Sequence, residues 1–241
     1  MIDPLLEPFT RDAPPDVLAK SKLAAIDECL RPRTLKEAAL IIIDMQKGFL
    51  YVGAALEVPE GRTKCLPNVG RLLSKAREVG LQVVFTKYVH RPGSQRISAY
   101  PFAPEVFAHP PGTPSGLFHP SNCCMQGDPS VDIVDELAVT KDDIVIEKYG
   151  YDSFHETTLD TELRSRGIGH LYITGVTTDI CVDSTVKRGF HLEYKITAAS
   201  DAVLTKWPNI QEACLDIWKR KFARVKSTSE ILDEMDALKR G

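Results

Sequence analysis

Apolar strand-like runs alternating with amphipathic helical patterns predict an α/β protein of 241 residues. The expected form is three αβα layers around a mostly parallel, doubly wound, Rossmann-like sheet. Two observations carry this expectation. Ala38-Ala39-Leu40-Ile41-Ile42-Ile43 is a continuous apolar run, the pattern of a strand buried on both faces of a parallel sheet. Helical periodicity then separates the later apolar runs, as the crossovers between parallel strands require.

Each element has its own local reason. Residues 1–37 hold Pro4, Pro8, Pro14 and Pro15 and then a modest helical pattern from Val17 to Leu30; they read as an N-terminal arm. Residues 38–241 read as a single domain. After the first strand, Val69, Leu72, Leu73, Ala76 and Val79 recur at helical spacing, with Pro67 near the start and Gly80 as the stop. Leu81–Thr86 is a second buried strand. From His90 to Ser130 no period is visible, and the richness in Pro, Gly, Ser and His predicts a long functional loop. Val131–Leu137 reads as a short helix and Asp143–Lys148 as a third strand. Thr158 is expected to cap a helix from Leu159 to Arg166 that Gly167 ends. A strand from His170 to Ile173 precedes a helix from about Asp179 to Arg188, with Gly189 as its terminator. Leu192–Ala198, a helix opened by Pro208, and a short strand over Phe222–Lys226 follow. Ser227 and Glu230 match a capping box ahead of a last helix, Ile231–Leu238.

The composition is that of an ordinary globular protein, 43% hydrophobic and 26% charged, and a net charge of -3 exerts no general pull on nucleic acid or anionic membranes. No apolar run approaches the roughly 20 residues that span a bilayer. The beginning, MIDPLLEPFTRDAPPDV, is acidic and broken by prolines, so no secretory signal is expected. The six cysteines, at 29, 65, 123, 124, 181 and 214, lack framework spacing; reduced thiols and a cytoplasmic location are expected. The expected partners are a small-molecule substrate and further copies of the chain, as a dimer or tetramer.

In open parallel sheets, ligands bind beyond the carboxyl ends of the strands. Three strands of this chain end in reactive groups: Asp44, Lys148, and the turn Gly175-Val176-Thr177-Thr178-Asp179-Ile180-Cys181. A thiol delivered to a helix N-terminus is a site of lowered thiol pKa. An acid, a cation and a thiol on one sheet edge meet the needs of nucleophilic catalysis. A Cys-based phosphatase would need an arginine six positions after Cys181, where this chain has Lys187. No G-x-G-x-x-G follows the first strand, which argues against a dinucleotide.

LIIIDMQKGF, the strand ending at Lys148, and GVTTDICVDSTVKRGF resemble the isochorismatase-like cysteine hydrolases over roughly residues 38–235. That family includes nicotinamidases and N-carbamoylsarcosine, biuret and ureidoacrylate amidohydrolases. The resemblance implies Cys181 as nucleophile, Asp44 as general base and acid, and Lys148 as their electrostatic partner. It also implies a cis peptide at Val176–Thr177, which directs the Thr177 and Cys181 N–H groups into an oxyanion hole. The implied activity is hydrolysis of a C–N bond in a small amide, ureido or carbamoyl compound, through a thioester and with release of ammonia. True isochorismatases, which cleave a vinyl ether, typically lack this Cys.

The expected substrate-facing residues are Gln46, Phe49, His90, Arg91, Arg96, Tyr149, Tyr151, Phe154 and Val176. His90, Arg91 and Arg96 are candidates for holding a carboxylate, and the aromatics for walling a small pocket. Nicotinamidases place a metal beside the nucleophile through Asp-x-His; here the segment reads Tyr88-Val89-His90, and Cys123-Cys124 precede Gly127-Asp128-Pro129. No third ligand is evident, and neither metal nor cofactor is assigned. The competing expectations are a nicotinamidase-like hydrolase and a non-catalytic member acting through protein contacts.

Overall fold

The computed structural model describes residues 25, 27–54, 56–91 and 124–240. Six parallel strands form one sheet: β1 (Ala38–Ile43), β2 (Gln82–Tyr88), β3 (Ile144–Lys148), β4 (His170–Val176), β5 (Lys195–Leu204) and β6 (Arg224–Lys226). Their order is β3-β2-β1-β4-β5-β6. The strand order reverses between β1 and β4, so this boundary is the topological switch point at which such sheets bind ligands.

Among the described residues, the helices that connect or flank the strands include α1 (Lys47–Leu50), α2 (Leu66–Val79), α3 (Leu159–Ser165), α4 (Asp183–His191), α5 (Pro208–Lys221) and α6 (Thr228–Arg240). The alternation of side chains along β1 sorts them into layers. Ala38, Leu40 and Ile42 share one core with Val69, Leu72 and Ala76 of α2 and with Ile231 and Met235 of α6. Ala39, Ile41 and Ile43 share the other with Leu159 and Leu163 of α3, Val186 of α4 and Trp218 of α5. Both faces of the sheet are therefore covered, as the unbroken apolar run of β1 demands.

Local signals fared unevenly. Gly80 and Gly167 end their helices at φ 73° and 71°. Ser227 and Glu230 do form reciprocal hydrogen bonds, with the Ser227 N–H donating to Glu230 Oε2 at 2.8 Å and the Glu230 N–H to Ser227 Oγ at 3.3 Å. Other signals require correction. Val131–Leu137 is no helix; 3₁₀ turns at Pro129–Val131 and Asp135–Leu137 lie there instead. The Thr158 side chain makes no cap hydrogen bond; the hydroxyl of Thr157 accepts from the Leu159 N–H at 3.2 Å. Gly189 does not terminate α4, which runs on to His191; it is buried, and an added Cβ would lie 3.1 Å from Ile196 Cδ1. Close packing of the helix on β5 explains that glycine.

Gly175 has a stricter cause. Its φ is +113°, and a Cβ there would fall 2.0 Å from the Ile43 carbonyl oxygen. Where β4 presses against β1, only glycine fits. The β4–β5 register shifts at the same point, between Ile173 and Gly175. The ladder is thus offset just before the turn that carries Cys181, and pairing resumes at Gly175 with Val203 and Val176 with Leu204.

Candidate active site

The site grows out of three strand ends. Asp44 follows β1 with φ 50°, a turn out of the extended conformation at the first residue past the strand. Lys148 is the last residue of the edge strand β3, and β2 lies between them. Two strand spacings are about 10 Å, so only a long side chain crosses that gap. Lys148 does so: its Nζ lies 2.7 Å from Asp44 Oδ2, and both side chains are 0% exposed.

The intervening strand supports both partners. Thr86 and Tyr88 are two residues apart on β2 and therefore point to the same face. The Thr86 hydroxyl donates to Asp44 Oδ1 at 2.8 Å. Tyr88 is the register partner of Lys148, whose Nζ lies 5.1 Å from the centre of its ring. The Lys148 ammonium also donates to the Gly150 carbonyl at 3.1 Å. Burial alone would discharge Lys148, but Asp44 and the Cys181 sulfur outweigh it and hold the ammonium above the ordinary lysine range.

Cys181 arrives from the other side of the switch point. Thr178–Val182 is a wide, π-type turn between β4 and α4, anchored by the Ile180 and Val182 N–H groups on the Thr177 carbonyl at 3.2 and 3.1 Å. The Val176–Thr177 peptide before it is cis. The thiol is 3% exposed and within hydrogen-bonding reach of both Asp44 and Lys148. The expectation of a lowered thiol pKa does not hold for this resting arrangement. Burial pushes the thiol up, Lys148 pulls it back only in part, and the Asp44 carboxylate adds to the rise. Cys181 lies in the π-helical turn that runs directly into α4, and burial still outweighs what that position offers the thiolate. Cys181 therefore rests as the thiol beside a charged Lys148.

Asp44 Oδ2 is the atom positioned to change that state. Its contact with Lys148 is an ion pair without a directed hydrogen bond, whereas Oδ1 is already bonded to Thr86. A lone pair on Oδ2 is therefore open to the thiol proton.

A second set of contacts joins the Cys181 turn to the loop after Lys148. The Thr185 hydroxyl donates to the Cys181 carbonyl at 2.7 Å and accepts from the Ser153 N–H at 3.1 Å. Thr185 has a single hydroxyl proton, so in the 2.9 Å contact with Ser153 Oγ it is Ser153 that donates. Thr86, Tyr88, Ser153 and Thr185 were absent from the sequence-based candidates. A Thr and a Tyr at alternate positions near the end of a strand offered the signal for the first two; nothing in the sequence marked the others.

The expected substrate-facing residues divide. Tyr151 is 41% exposed and stacked on Tyr88, with ring centres 5.9 Å apart. Phe49 packs edge-on to Tyr88 at 6.4 Å. Arg91 is exposed and its guanidinium sits 3.6 Å over the centre of the Tyr149 ring. His90 is buried, with Nε2 3.0 Å from the Tyr88 hydroxyl. Val176 is wholly buried. Gln46 is turned to another use: its Nε2 donates to the carbonyls of Tyr88 and Val131, both at 2.9 Å, and its Oε1 accepts from the Tyr88 N–H at 2.7 Å. With its amide spent on backbone, it braces the loop and has nothing left for a substrate. Phe154 stacks on Tyr194 at 5.5 Å within the core beneath α3 and α4, which is a packing role. Arg96 and Cys123 lie outside the described residues. Among the described residues, no cluster of three or more His, Cys, Asp or Glu has the arrangement of a metal site.

The Isochorismatase domain model matches residues 38–230. The ureidoacrylate amidohydrolase RutB of Pseudomonas syringae pv. syringae (strain B728a) is 32% identical over 220 residues, covering 83% of this chain and 84% of that protein. A cysteine hydrolase from Pseudomonas syringae pv. phaseolicola 1448A superposes with a TM-score of 0.73 at 25% identity, over 85% of this chain and 95% of the other. N-carbamoylsarcosine amidase from Thermoplasma acidophilum gives 0.63 at 27% identity, over 80% and 96%. With the fold, the strand-end cluster and these likenesses together, the chain belongs to the isochorismatase family, among its isochorismatase-like cysteine hydrolases.

Proposed function

We propose that the protein is a cysteine-dependent amidohydrolase that cleaves a C–N bond of a small ureido or carbamoyl compound and releases ammonia. The observation that carries this reading is the solvent-free ion pair of Asp44 with Lys148, 2.7 Å long, in contact with the Cys181 thiol. Similarity to the ureidoacrylate amidohydrolase and the N-carbamoylsarcosine amidase supports the substrate class.

Asp44 Oδ2 takes the thiol proton as Sγ bonds to the substrate carbonyl carbon, and the carbonyl electron pair moves to oxygen. The Thr177 and Cys181 N–H groups are assigned to that oxyanion. Asp44 returns the proton to the departing nitrogen, the C–N bond breaks, and ammonia leaves a thioester on Cys181. Water, deprotonated by Asp44, then attacks the thioester, and the thiol regains its proton. Lys148 keeps its charge throughout and follows the negative charge from carboxylate to thiolate and back. Counted with the substrate oxyanion, the buried cluster keeps the same net charge from step to step, which limits the desolvation cost along the path.

At the mouth, Arg91 on Tyr149 is assigned to a substrate carboxylate, and Phe49 and Tyr151 to its walls. Reduced cysteines suit a cytoplasmic enzyme, and a homo-oligomer is the expected assembly.

Ammonia release across ureido acids, carbamoyl amino acids, biuret-like compounds and simple amides tests the reading. Turnover is expected for one of the first three classes. Cys181→Ala should reduce it by a factor on the order of 10⁴ or more, with an unchanged melting temperature. Turnover that survives in Cys181→Ala, or none with any of these compounds, would overturn the assignment.

A further inference from the structure

Tyr88 is fixed on every side. Its backbone N–H and carbonyl are both bonded to the Gln46 side chain, at 2.7 and 2.9 Å. Its hydroxyl meets His90 Nε2 at 3.0 Å, and its ring is held by Phe49 edge-on and by Tyr151 in a stack. The ring is 4% exposed. A side chain so constrained beside reacting groups has a defined face, and that face looks towards the Lys148 ammonium, 5.1 Å from its centre.

The ammonium has a particular need for it. Lys148 has lost all its water, and its fixed partners are Asp44 Oδ2, the Gly150 carbonyl and the thiol. When Asp44 holds the thiol proton, the carboxylate's charge is gone and the ammonium must be kept charged by the thiolate and its remaining surroundings. An aromatic face supplies negative potential that does not titrate in this exchange. We propose that Tyr88 is a positioning residue of the hydrolytic reaction: its ring face keeps the Lys148 ammonium charged and aimed while the proton passes between Cys181 and Asp44. This rests on the amidohydrolase reading for its catalytic meaning, but the electrostatic claim about Lys148 stands apart from any substrate.

The other titratable or charged groups facing Lys148 are Asp44 after β1, Cys181 in the turn before α4, and Tyr151 and Asp152 in the loop after β3. His90 faces the far end of Tyr88 at its hydroxyl. A shift produced by Tyr88 must therefore be separated from one passed on through His90, which sets the choice of variants. Tyr88→Phe keeps the face and removes the hydroxyl. Tyr88→Leu removes the face and keeps an apolar filler.

Two measurements decide. The first is an NMR titration of the Lys148 Cε signal in lysine-labelled protein, assigned with Lys148→Arg. The second is the pH profile of kcat. Tyr88→Leu is expected to lower the Lys148 titration and the basic limb of the kcat profile together, by up to about one pH unit, and to cut kcat about 5- to 30-fold with little change in KM. Tyr88→Phe should match the wild type in both. An unshifted Lys148 in Tyr88→Leu would overturn the proposal, as would an equal shift in Tyr88→Phe, which would assign the effect to the hydroxyl and His90. If the wild type hydrolyses none of the ureido or carbamoyl compounds, the functional reading fails while the NMR titration still decides this one.

Discussion

Two ionic clusters, one wholly buried and one centred on a buried arginine, occupy opposite ends of the same sheet, and they are built to different rules. At the carboxyl end stand Asp44, Lys148 and Cys181. Towards the amino end, Arg224 of β6 joins Glu234 of α6 and Asp27 of the preceding helical segment 27–30. All three guanidinium nitrogens are engaged: Nε with Asp27 Oδ1 at 3.0 Å, Nη1 with Thr197 Oγ1 at 3.0 Å, and Nη2 with Glu234 Oε2 at 2.5 Å. The Tyr172 hydroxyl donates to Glu234 Oε1 at 2.6 Å, and His170 Nε2 meets Thr197 at 3.0 Å. Among the described residues, four buried side-chain polar atoms lack a hydrogen-bond partner, and three belong to Asp44, Thr178 and Asp179 at the carboxyl end. The fourth is His170 Nδ1. A cluster meant to hold position uses its bonding capacity, whereas one meant to react keeps some in reserve.

That contrast can be broken by experiment. The two ends should separate in their readouts: Cys181→Ala removes turnover at constant stability, and Arg224→Ala should do the reverse. Loss of the guanidinium leaves the Glu234 carboxylate, a mostly buried group, without its main partner. Unfolding free energy should fall by about 3 kcal/mol, seen in urea denaturation, with kcat of the folded enzyme unchanged. A kcat that fell in proportion would mean that the two ends are coupled.

Thr86→Val sharpens the catalytic side. It removes the donor that fixes Asp44 Oδ1, so both carboxylate oxygens become available to Lys148 and the thiol. A roughly tenfold drop in kcat is expected, equivalent to about 1.4 kcal/mol in the barrier, with KM little changed. An unaltered kcat would show that Lys148 alone sets the carboxylate's orientation.

The effect that is smallest at neutral pH, and grows only in acid, concerns His170. Burial, reinforced by the Arg224 charge, lowers its pKa to about 3. The unfolded chain takes up a proton near pH 6.5 that the folded protein refuses. Stability from this residue is therefore full above about pH 6.5 and is lost as pH falls from there towards 3, at up to about 1.4 kcal/mol per unit. His170→Gln should flatten that part of the stability curve. An equal slope in the variant would assign the acid sensitivity to other groups.

The ends of the sheet also differ in how far their parts could be read from sequence. β1 declared itself because six consecutive apolar residues have no other use, and Asp44 and Lys148 stood out as charges at strand ends. The turn 173–182 brought a family with it. Gly175 needed a close contact with Ile43 that no pattern in one chain segment records. Gln46 looked like a substrate ligand because polar residues after catalytic strands often are; its engagement with Tyr88 and Val131 depends on segments some 42 and 85 positions away. The Arg224 cluster was missed for the same reason, since its members come from β4, β5, β6, α6 and the residues before β1. Long-range polar pairing has no period.

The Thr185 hydroxyl, bonded at once to the Cys181 carbonyl and to Ser153, has a consequence for accuracy under thermal motion. The turn that carries the sulfur and the loop that follows the ammonium are tied to one atom. A fluctuation that displaces either segment is transmitted to the other, so the two drift together and their separation changes little. What the reaction requires is a constant relative distance, and the site obtains it by cancelling the movement they share.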